Sequence, residues 1–498
     1  MTKTYDSESA QKKAGKEFMK GFESDGLALD YIFHPRSVAI IGTANNPSSA
    51  GQAFLKCFHS FGFNGNVYPV HPEESEIGGM KCYPSVKDIP EPVDYAFVAI
   101  PARSTPQFME ECVIKGVKVV SFYTAGFSES SESGKELEIE VMRIARQSGV
   151  RIIGPNCIGI YCPSVGLSFC SDFSRQSGPV GLLCQSGGNT CYLVRALNAR
   201  GIHISKAVGY GNAADINETE LLEYFTHDSE TKIIAAYIEG IGDVKQFFKV
   251  LKEAAKTKPV IILKGGRTEI GATTAASHTS ALACSADLWD TLINQAGAIQ
   301  VNAAEELVDV VSVFTHMSLP AGRRLGIIGV GGGASVLSAD ACINAGLSLP
   351  QLPEEIKERL RGLTTAAGNI FNNPVDSQCS FIGTEAFAKT VRIVNNSGQL
   401  DILLLHIAYD QLPGIIQTGA EFSMYTPPLQ TWIDTVKEIG KPAAVVLHYT
   451  TTAQSLQEMC RDREICSKAG MPVFYSMSGA ANAINSFLSY YEKSVHNS

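Results

Sequence analysis

Short runs of β-branched and other apolar residues alternate with longer amphipathic stretches along the chain, from Ser37 to about Tyr490. The apolar runs have the length and composition of strands that are buried on both faces, and the longer stretches have helical spacing. Strands that alternate with helices in this way form parallel sheets covered by crossover helices. The pattern therefore predicts an α/β protein, and it divides into three consecutive blocks.

The first block contains five predicted strands separated by helical stretches, at residues 37–42, 66–70, 94–100, 117–122 and 150–153. This arrangement is typical of a Rossmann-like nucleotide-binding domain. The second and third blocks each begin with an apolar strand, at 179–184 and 325–329. Glycines recur around these strands at one spacing of 145 residues, with Gly181, Gly187 and Gly188 returning as Gly326, Gly332 and Gly333. We therefore predict that the last two blocks are repeated flavodoxin-like units with doubly wound parallel sheets.

The composition supports several buried cores, because 45% of the 498 residues are apolar and the length suggests about three domains. We place these domains at residues 29–160, 161–320 and 321–498, after a polar tail at residues 1–28. A net charge of −9 with scattered basic residues argues against nucleic-acid binding. The sequence contains neither a membrane-length apolar run nor a signal-peptide core, so we expect a cytoplasmic location and no membrane partner. The 13 cysteines lack the spacing of a disulfide framework or a zinc site, and we assign them no metal.

The loop after the first predicted strand argues against a nicotinamide dinucleotide as ligand. From Gly42 to Gly51 the chain does not match G-x-G-x-x-G, and the second strand ends in Val70-His71-Pro72 where such domains carry an acidic residue. The loop still offers backbone N–H groups and hydroxyls ahead of a helix start, which suits a pyrophosphate. We therefore predict a different nucleotide ligand, and one of the coenzyme A (CoA) type fits.

Two glycine loops are candidate phosphate sites. Gln185-Ser186-Gly187-Gly188 and Gly331-Gly332-Gly333 each precede a predicted helix, starting near Asn189 and Ala334 respectively. Free N–H groups and the helix dipole attract anions at such positions. Either loop alone is also consistent with a tight turn, whereas two helix starts that converged on one point would hold a phosphoryl group from both sides.

The segment from Ala275 to Ala283 places His278 among small residues, and we predict that it is a mobile loop carrying a histidine nucleophile. An imidazole with an ordinary pKa of about 6.5 is partly neutral in the cell, so it can attack phosphorus and become a phosphohistidine. A lone histidine in such a segment is more often a bystander. The two glycine loops favour the phosphoryl-transfer interpretation.

Eight motifs occur in an order that resembles the α subunit of NDP-forming acyl-CoA synthetases, of the ADP-forming acetyl-CoA synthetase type in the succinyl-CoA synthetase superfamily. The resemblance covers about residues 30–490. The motifs are Ser37-Val38-Ala39-Ile40-Ile41-Gly42, Val67-Tyr68-Pro69-Val70, Thr124-Ala125-Gly126-Phe127, Gly154-Pro155-Asn156-Cys157-Ile158-Gly159, Gln185-Ser186-Gly187, Tyr237-Ile238-Glu239-Gly240, Ser277-His278-Thr279 and Asn373-Pro374-Val375-Asp376.

The resemblance implies that the first domain binds CoA. The residues it implies for this site are Gly42, Thr43, Ala44, Ser49, Gly51, Val70, His71, Ile100, Pro101, Thr124, Ala125, Gly126 and Asn156. It further implies that His278 is phosphorylated, that Glu239 orients its imidazole and that the helices after Ser186 and Gly332 hold phosphate. Cys157, Asn373 and Asp376 are implied near the acyl and phosphate groups. A glutamate that follows the apolar run at 233–238 also fits the place where α/β sites assemble.

The implied reaction converts an acyl-CoA and phosphate into an acyl phosphate and CoA, passes the phosphoryl group to His278 and then to a nucleoside diphosphate. The reverse direction activates a carboxylic acid with a nucleoside triphosphate. The three blocks leave no room for an ATP-grasp module, and Lys264-Gly265-Gly266-Arg267 has the wrong order for a P-loop. We therefore expect a separate ATP-grasp β subunit that supplies the ATP/ADP and Mg²⁺ site, in an α2β2 assembly as the family suggests.

The sequence departs from the family pattern at Ser280 and Cys284, where glycines are usual. Because these residues restrict the backbone more than glycine does, we expect the segment that carries His278 to move less freely than in the family. Two alternatives remain open. One is a CoA-binding regulatory or scaffold protein of the same fold. The other is an acyl or carbamoyl transferase that works without a phosphohistidine, and a dehydrogenase is a more distant alternative. Binding of CoA but not NAD would separate the last from the others.

Overall fold

The computed structural model describes residues 29–46, 48–279, 286–329, 331–364, 368–377, 384–409 and 429–496, with the backbone alone at 276–279 and 494–496. The chain forms two compact units. The first extends up to Arg195 and includes His203–Asn302, and the second consists of Ala196–Ile202 and Ala303–Ser498. Each unit is built around parallel β-structure.

The first sheet of the first unit has five described strands, all parallel, in the order β2-β1-β5-β6-β7. Every residue of β1, β5 and β6 is buried, as expected for strands covered by helices on both faces. The strands are β1 Ser37–Ile41, β2 Asn66–Val70, β5 Tyr95–Val98, β6 Val119–Phe122 and β7 Arg151–Ile153, and β3 Glu76–Ile77 pairs with β4 Met80–Lys81 in a small hairpin. The helices are α1 Asp30–Phe33, α2 Ala50–Phe61, α3 Thr105–Lys115 and α4 Glu132–Ser148.

The second sheet of this unit has six strands in its described part, in the order β13-β12-β11-β9-β10-β8. Five of them are parallel, and β8 runs antiparallel to β10 at one edge. The strands are β8 Gly159–Tyr161, β9 Val180–Cys184, β10 Ile204–Gly209, β11 Ile233–Ile238, β12 Val260–Lys264 and β13 Ile299–Val301. The helices are α5 Gly187–Ala199, α6 Glu218–His227, α7 Val244–Thr257, α8 Glu269–Thr279 and α9 Ala286–Ala296.

The second unit contains the third sheet, whose six described strands follow the order β15-β16-β14-β17-β18-β19. The edge strand β15 is antiparallel to β16, and the remaining pairs are parallel. The strands are β14 Leu325–Gly329, β15 Ile370–Phe371, β16 Val375–Asp376, β17 Ile402–Ile407, β18 Ala443–Leu447 and β19 Val473–Phe474. The helices are α10 Ala304–His316, α11 Gly332–Asn344, α12 Glu354–Arg361, α13 Thr384–Asn395, α14 Leu429–Ile439, α15 Ala453–Ala469 and α16 Met477–His496.

The predicted fold class is confirmed, since alternating strands and helices build parallel sheets in each unit. The two antiparallel edge strands are too short to stand out in the sequence pattern. Helices α5 and α11 begin at Gly187 and Gly332, two residues before the predicted starts at Asn189 and Ala334. The glycines therefore lie inside the first helical turn. No helix in the described part of the chain has the length and apolarity needed to cross a membrane.

The prediction of a loop beginning at Ala275 is wrong, because α8 continues to Thr279. Thr268 supports the start of this helix: its hydroxyl oxygen accepts the Gly271 N–H at 3.0 Å and its carbonyl accepts the Ala272 N–H at 2.7 Å. Alanine, which is abundant here, is the strongest helix former and overrides the loop-like appearance of small residues. Residues 280–283 of the predicted loop lie outside the described residues.

Candidate active site

The loop that follows β1 brings two stretches of backbone into direct contact. Gly42 has a φ of +85°, and a Cβ atom added to it would lie 2.2 Å from the Ala99 carbonyl oxygen. A Cβ on Gly51, in the first turn of α2, would lie 2.6 Å from the Gly42 carbonyl carbon. The Ser49 hydroxyl closes the loop by donating to the Gly42 carbonyl oxygen at 2.8 Å. The start of α2 thus presents bare backbone at the carboxyl edge of the sheet, as an anionic ligand requires.

Replacing Gly42 by alanine is expected to destabilise the protein by about 2–4 kcal/mol, because the close contact with Ala99 adds to the strain of a left-handed residue. Gly62 is a matched control: its φ is +75°, but no atom of the described residues lies within 4 Å of an added Cβ. Gly62→Ala should therefore cost only about 1 kcal/mol. Urea unfolding of the two variants measures the difference, and equal losses would contradict the close approach.

A cavity of about 390 Å³ opens beside this loop, at the carboxyl ends of β1, β2 and β5. Seven of the residues predicted for CoA line it, namely Gly42, Thr43, Ala44, Val70, His71, Ile100 and Pro101. The Thr43 hydroxyl donates to the Val70 carbonyl at 3.2 Å, which fixes the loop against β2. Nδ1 of His71 accepts the backbone N–H groups of Glu73 and Glu74 at 3.2 and 3.3 Å, which fixes the ring against the turn after β2. We call this space the first cavity.

The turn after β6 is held in place by a carboxylate that sequence analysis missed. Glu129 accepts the N–H groups of Gly126 and Phe127 at 2.6 and 3.1 Å and the side-chain amide of Asn212 at 2.6 Å. Burial raises the pKa of Glu129, but these hydrogen bonds, that of Gly126 foremost, leave its pKa below the usual value. The carboxylate therefore joins this turn to the loop after β10 in its charged form.

Removal of this carboxylate should destabilise the protein in a pH-dependent way. A group with a depressed folded-state pKa stabilises the fold above its unfolded-state pKa, and the stabilisation is lost as the pH falls through the folded-state value. Glu129→Ala is therefore expected to cost about 1 kcal/mol near pH 7, and less as the pH drops toward 3. Urea titrations across this range test it, with the exposed Glu110→Ala as control. A pH-independent cost would contradict an ionised Glu129.

A second cavity, of about 420 Å³, lies where the carboxyl ends of β6 and β7 meet the loop after β9. It borders the first cavity, since the Thr124 hydroxyl at its rim donates to the Ile100 carbonyl at 2.5 Å. Predicted CoA, substrate and phosphate residues line it together, namely Thr124, Ala125, Asn156, Cys157, Gln185, Ser186, Gly187 and Gly188. Its remaining lining residues are Tyr123 and Ile158. The first two sheets therefore contribute jointly to one space.

Asn156 gives this second cavity a strained corner. Its φ is +54°, an uncommon conformation for a residue other than glycine, although asparagine tolerates it better than most. The Asn156 N–H donates to the Thr124 carbonyl at 3.0 Å, and the Asn212 N–H donates to the neighbouring Pro155 carbonyl at 2.9 Å. A Cβ on Gly211 would lie 2.3 Å from that same carbonyl oxygen. Strain held in place by surrounding contacts is typical of functional sites.

Glu239 lies at the carboxyl end of β11 with 7% of its surface exposed. The side-chain oxygen of Gln185, a lining residue of the second cavity, accepts the N–H groups of Glu239 and Gly240 at 2.7 and 3.1 Å. The Lys264 ammonium donates to the Glu239 carbonyl at 2.7 Å. The backbone around this carboxylate is therefore fixed from two sides, and Gln185 links it to the cavity wall.

The Glu239 carboxylate also accepts a hydrogen bond from the Tyr237 hydroxyl at 3.1 Å. Burial, followed by the negative charge of Glu239, raises the pKa of Tyr237 well above its usual value. Tyr237 therefore stays a protonated donor over any physiological pH. A Cβ on Gly265 would lie 2.8 Å from the tyrosine oxygen, so a glycine at the end of β12 makes room for this pair.

The second unit has its own glycine loop. Gly331 has a φ of +95° and donates its N–H to the Asp376 carboxylate at 3.1 Å, and α11 begins at the next residue. Burial raises the pKa of Asp376, against the lowering effect of this hydrogen bond. Among the described residues, no atom lies within 4 Å of a Cβ added to Gly333. In this part of the structure the helix start is therefore open at Gly333, and a carboxyl group at the end of β16 lies beside it.

Two residues predicted for substrate binding make hydrogen bonds or close contacts within the fold. The Asn373 amide nitrogen donates to the Leu325 and Pro350 carbonyls at 2.7 and 3.2 Å, and its oxygen accepts the Ile327 N–H at 3.0 Å. This side chain therefore ties β14 to the neighbouring backbone. Cys157 is buried beside Ser121, their side chains 3.1 Å apart, and burial raises the pKa of the thiol to about 12. It lines the second cavity as a neutral group, and its substrate contact stays a prediction.

The backbone of His278 lies in the last turn of α8, and its side chain lies outside the described residues. Phosphorylation of His278 stays a prediction. Joint binding of phosphate by the two glycine loops also stays a prediction, because the loops belong to different units. Sequence reasoning missed Tyr123, Glu129, Asn212, Tyr237 and Lys264. Lys264 ends an apolar strand as Glu239 does, and that position could have indicated it. The Glu129–Asn212 contact joins residues far apart in the sequence and left no local signal.

Comparisons with known proteins agree with this architecture. Residues 36–163 match the family described as a CoA binding domain, and residues 177–314 match the succinyl-CoA ligase like flavodoxin domain. The alpha subunit of ADP-forming acetate–CoA ligase II from Pyrococcus furiosus is 36% identical over 90% of this chain and 94% of its own length. An ADP-forming acetate–CoA ligase from Methanocaldococcus jannaschii is 40% identical over 70% of this chain, which spans 49% of that relative.

A solved structure extends the likeness to three dimensions. It is the dinucleotide-forming acetyl-coenzyme A synthetase 1 of Candidatus Korarchaeum cryptofilum in complex with phosphate and ADP, with a TM-score of 0.78 and 28% identity, covering 94% of this chain and 98% of that one. Together with these two domains, the relatives place the chain among the acid–thiol ligases. The chain belongs to the ADP-forming acyl-CoA ligase family, in which the Pyrococcus relative of matching length is an alpha subunit.

Proposed function

We propose that this chain is the α subunit of an enzyme that interconverts acyl-CoA, NDP and phosphate with a carboxylic acid, CoA and NTP, through an acyl phosphate and a phosphohistidine. The observation that supports this proposal is the second cavity. It brings the turns after β6 and β7, which are predicted to contact CoA, to the glycine loop at the start of α5. A thioester carbonyl and a phosphate would both find partners in this one space.

The two cavities fit an elongated thiol substrate and an anion. The bare backbone at Gly42 and the start of α2 suits the phosphate-bearing end of CoA in the first cavity, and the bordering second cavity would receive the thioester. Ser186, Gly187 and Gly188 would hold inorganic phosphate near the start of α5. A phosphate oxygen attacks the acyl carbon, the carbon–sulfur bond breaks, and CoA leaves as a thiolate that takes up a proton.

In the next step Nε2 of His278 attacks the phosphorus of the acyl phosphate, and the carboxylate leaves with the electron pair of the broken P–O bond. Glu239 accepts the Nδ1 proton in a hydrogen bond and stabilises the positive charge that develops on the ring. Tyr237 and Gln185 position this carboxylate through the contacts described above. The open start of α11 with Gly331, Gly332 and Gly333 would bind the phosphoryl group on its way to the nucleotide.

The nucleotide itself is proposed to bind to a partner. The sequence contains no P-loop motif for binding a nucleotide. The Pyrococcus relative is an alpha subunit, which is one subunit of its enzyme. We propose an ATP-grasp β subunit that provides the ATP/ADP and Mg²⁺ site in an α2β2 assembly, and domain boundaries at residues 29–160, 161–320 and 321–498 for this chain. The substrate is a carboxylic acid or its CoA thioester.

Isolation of the tagged chain from its native cells tests this proposal. We expect a second chain to copurify, and the complex to release CoA thiol from an acyl-CoA only when both ADP and phosphate are present. The chain alone should release none. Thiol release that needs neither ADP nor phosphate would contradict a ligase and favour a transferase, whereas turnover by the chain alone would remove the need for a partner.

A further inference from the structure

Two thiols that line neither of the two cavities face each other. Cys170 follows β8 in the chain, and Cys191 lies in the second turn of α5. Their sulfur atoms are 3.8 Å apart, and both side chains are partly exposed. A disulfide needs a sulfur–sulfur distance of about 2.05 Å, so rotation about the side-chain bonds has to bring the two atoms less than 2 Å closer.

A fixed cation lies beside this thiol pair. The Arg195 guanidinium is one helical turn after Cys191 and contacts Asp172 through two hydrogen bonds, of 2.6 and 3.1 Å. It also lies over the Phe173 ring, with its central carbon 5.5 Å from the ring centre. One of its nitrogens is 3.7 Å from the Cys170 sulfur. Because Asp172 and Phe173 hold the guanidinium in place, the positive charge stays beside the Cys170 sulfur and its thiol partner.

These neighbours divide the roles of the two cysteines. A hydrogen bond from the Cys170 thiol lowers the pKa of Cys191 to about 7; burial opposes this effect, and Arg195 adds to it. The same pairing, together with burial, raises the pKa of Cys170. The direction of these shifts favours Cys191 as the thiolate and Cys170 as the proton donor, a division that suits thiol oxidation. The nearby Asp172 carboxylate raises the pKa of both thiols and so opposes the effect of Arg195.

We propose that Cys170 and Cys191 are an oxidation site that forms a reversible disulfide on reaction with a hydroperoxide. The Cys191 thiolate attacks the peroxide oxygen, the O–O bond breaks, and a sulfenic acid and hydroxide form. The Cys170 sulfur then attacks the sulfenic sulfur, and water leaves. In total two thiols are oxidised, and hydrogen peroxide is reduced to two waters. A reducing dithiol reverses the reaction by exchange.

Peptide mapping of the full chain treated with hydrogen peroxide tests the proposal. Trypsin cleaves after Arg151, Arg175 and Arg195, so Cys170 and Cys191 fall in the separate peptides 152–175 and 176–195. We expect these peptides to be joined after oxidation, with fragment ions that place the bond at Cys170 and Cys191, and to separate again with dithiothreitol. Either Cys170→Ser or Cys191→Ser should abolish the link, whereas Cys460→Ser, which removes an exposed thiol, should not.

The effect of the Arg195 guanidinium on the thiol pair is measured separately, through the rate at which Cys191 is alkylated. Arg195→Gln is expected to slow the alkylation of Cys191 by iodoacetamide at pH 7 about fivefold or more, because the thiol pair loses the positive charge that lies beside it. The wild-type rate should rise between pH 6 and pH 8 and then level off. Three results would overturn the proposal: no joined peptides after peroxide treatment, a link that survives Cys191→Ser, or a Cys191 that alkylates no faster at pH 7 than the exposed Cys460.

Discussion

Replacing His278 by asparagine should abolish phosphorylation of the chain and reduce acyl-CoA turnover by at least about 1,000-fold, because asparagine has no nucleophilic nitrogen to accept a phosphoryl group. The affinity for CoA should change by less than about twofold, since most of the residues predicted to bind CoA line the first and second cavities. The variant thus separates the chemical step from substrate binding. This is the largest effect that the proposed mechanism predicts.

The measurement is incorporation of labelled phosphate into the complex from an acyl-CoA and inorganic phosphate, followed by acid treatment, which releases phosphate from histidine. Calorimetry measures the affinity of the same variant for CoA. His227→Asn is the matched control, because His227 is an exposed histidine in the last turn of α6. It should be labelled as well as the wild type. If His278→Asn lost CoA binding and labelling to the same extent, the segment would be structural.

Glu239→Gln is expected to slow phosphorylation about 100-fold without unfolding the protein, because glutamine keeps the shape of the side chain but removes the negative charge that stabilises a positive imidazole. The amide can still accept the hydrogen bond from Tyr237. The loss should therefore appear in the rate of labelling and leave the urea midpoint nearly unchanged.

Rapid-mixing measurements of phosphoenzyme formation check this prediction. Glu253→Gln is the control, since Glu253 is an exposed carboxylate that pairs with Lys256 at 2.8 Å on α7. Tyr237→Phe adds a graded test: loss of one hydrogen bond to Glu239 should slow labelling about three- to tenfold. A Glu239→Gln variant that is phosphorylated at the wild-type rate would exclude this carboxylate from the site.

Much of the fold could be predicted from the sequence, because parallel strands that are buried on both faces consist of consecutive apolar residues. β2 and β14 begin and end where the pattern places them, and the other strands of the first sheet differ by a few residues at their ends. The short antiparallel strands β8 and β15 could not be predicted, because two or three residues are too few to show a periodic pattern of apolar and polar positions. The loop expected at Ala275 failed because small residues are compatible with both a loop and a helix.

The site could be predicted only where its residues are adjacent in the sequence. The glycine loops and the Asn156 turn are local motifs, and eight of the predicted residues lie around one cavity. Glu129 and Asn212, in contrast, are brought together by the pairing of distant loops. Their contact depends on how the first two sheets pack, and a single sequence contains no record of that packing.

The Gln185 amide oxygen already serves two N–H groups of the Glu239 turn, and this limits how the enzyme can change during evolution. In the proposed mechanism, a substitution there would disturb a step that every acid shares. Tyr123 and Ile158 line the same space with largely apolar side chains. If the proposed site receives the acyl group, we expect acid preference among relatives to vary more at these two positions than at Gln185, and redesign for a bulkier acid should begin with them.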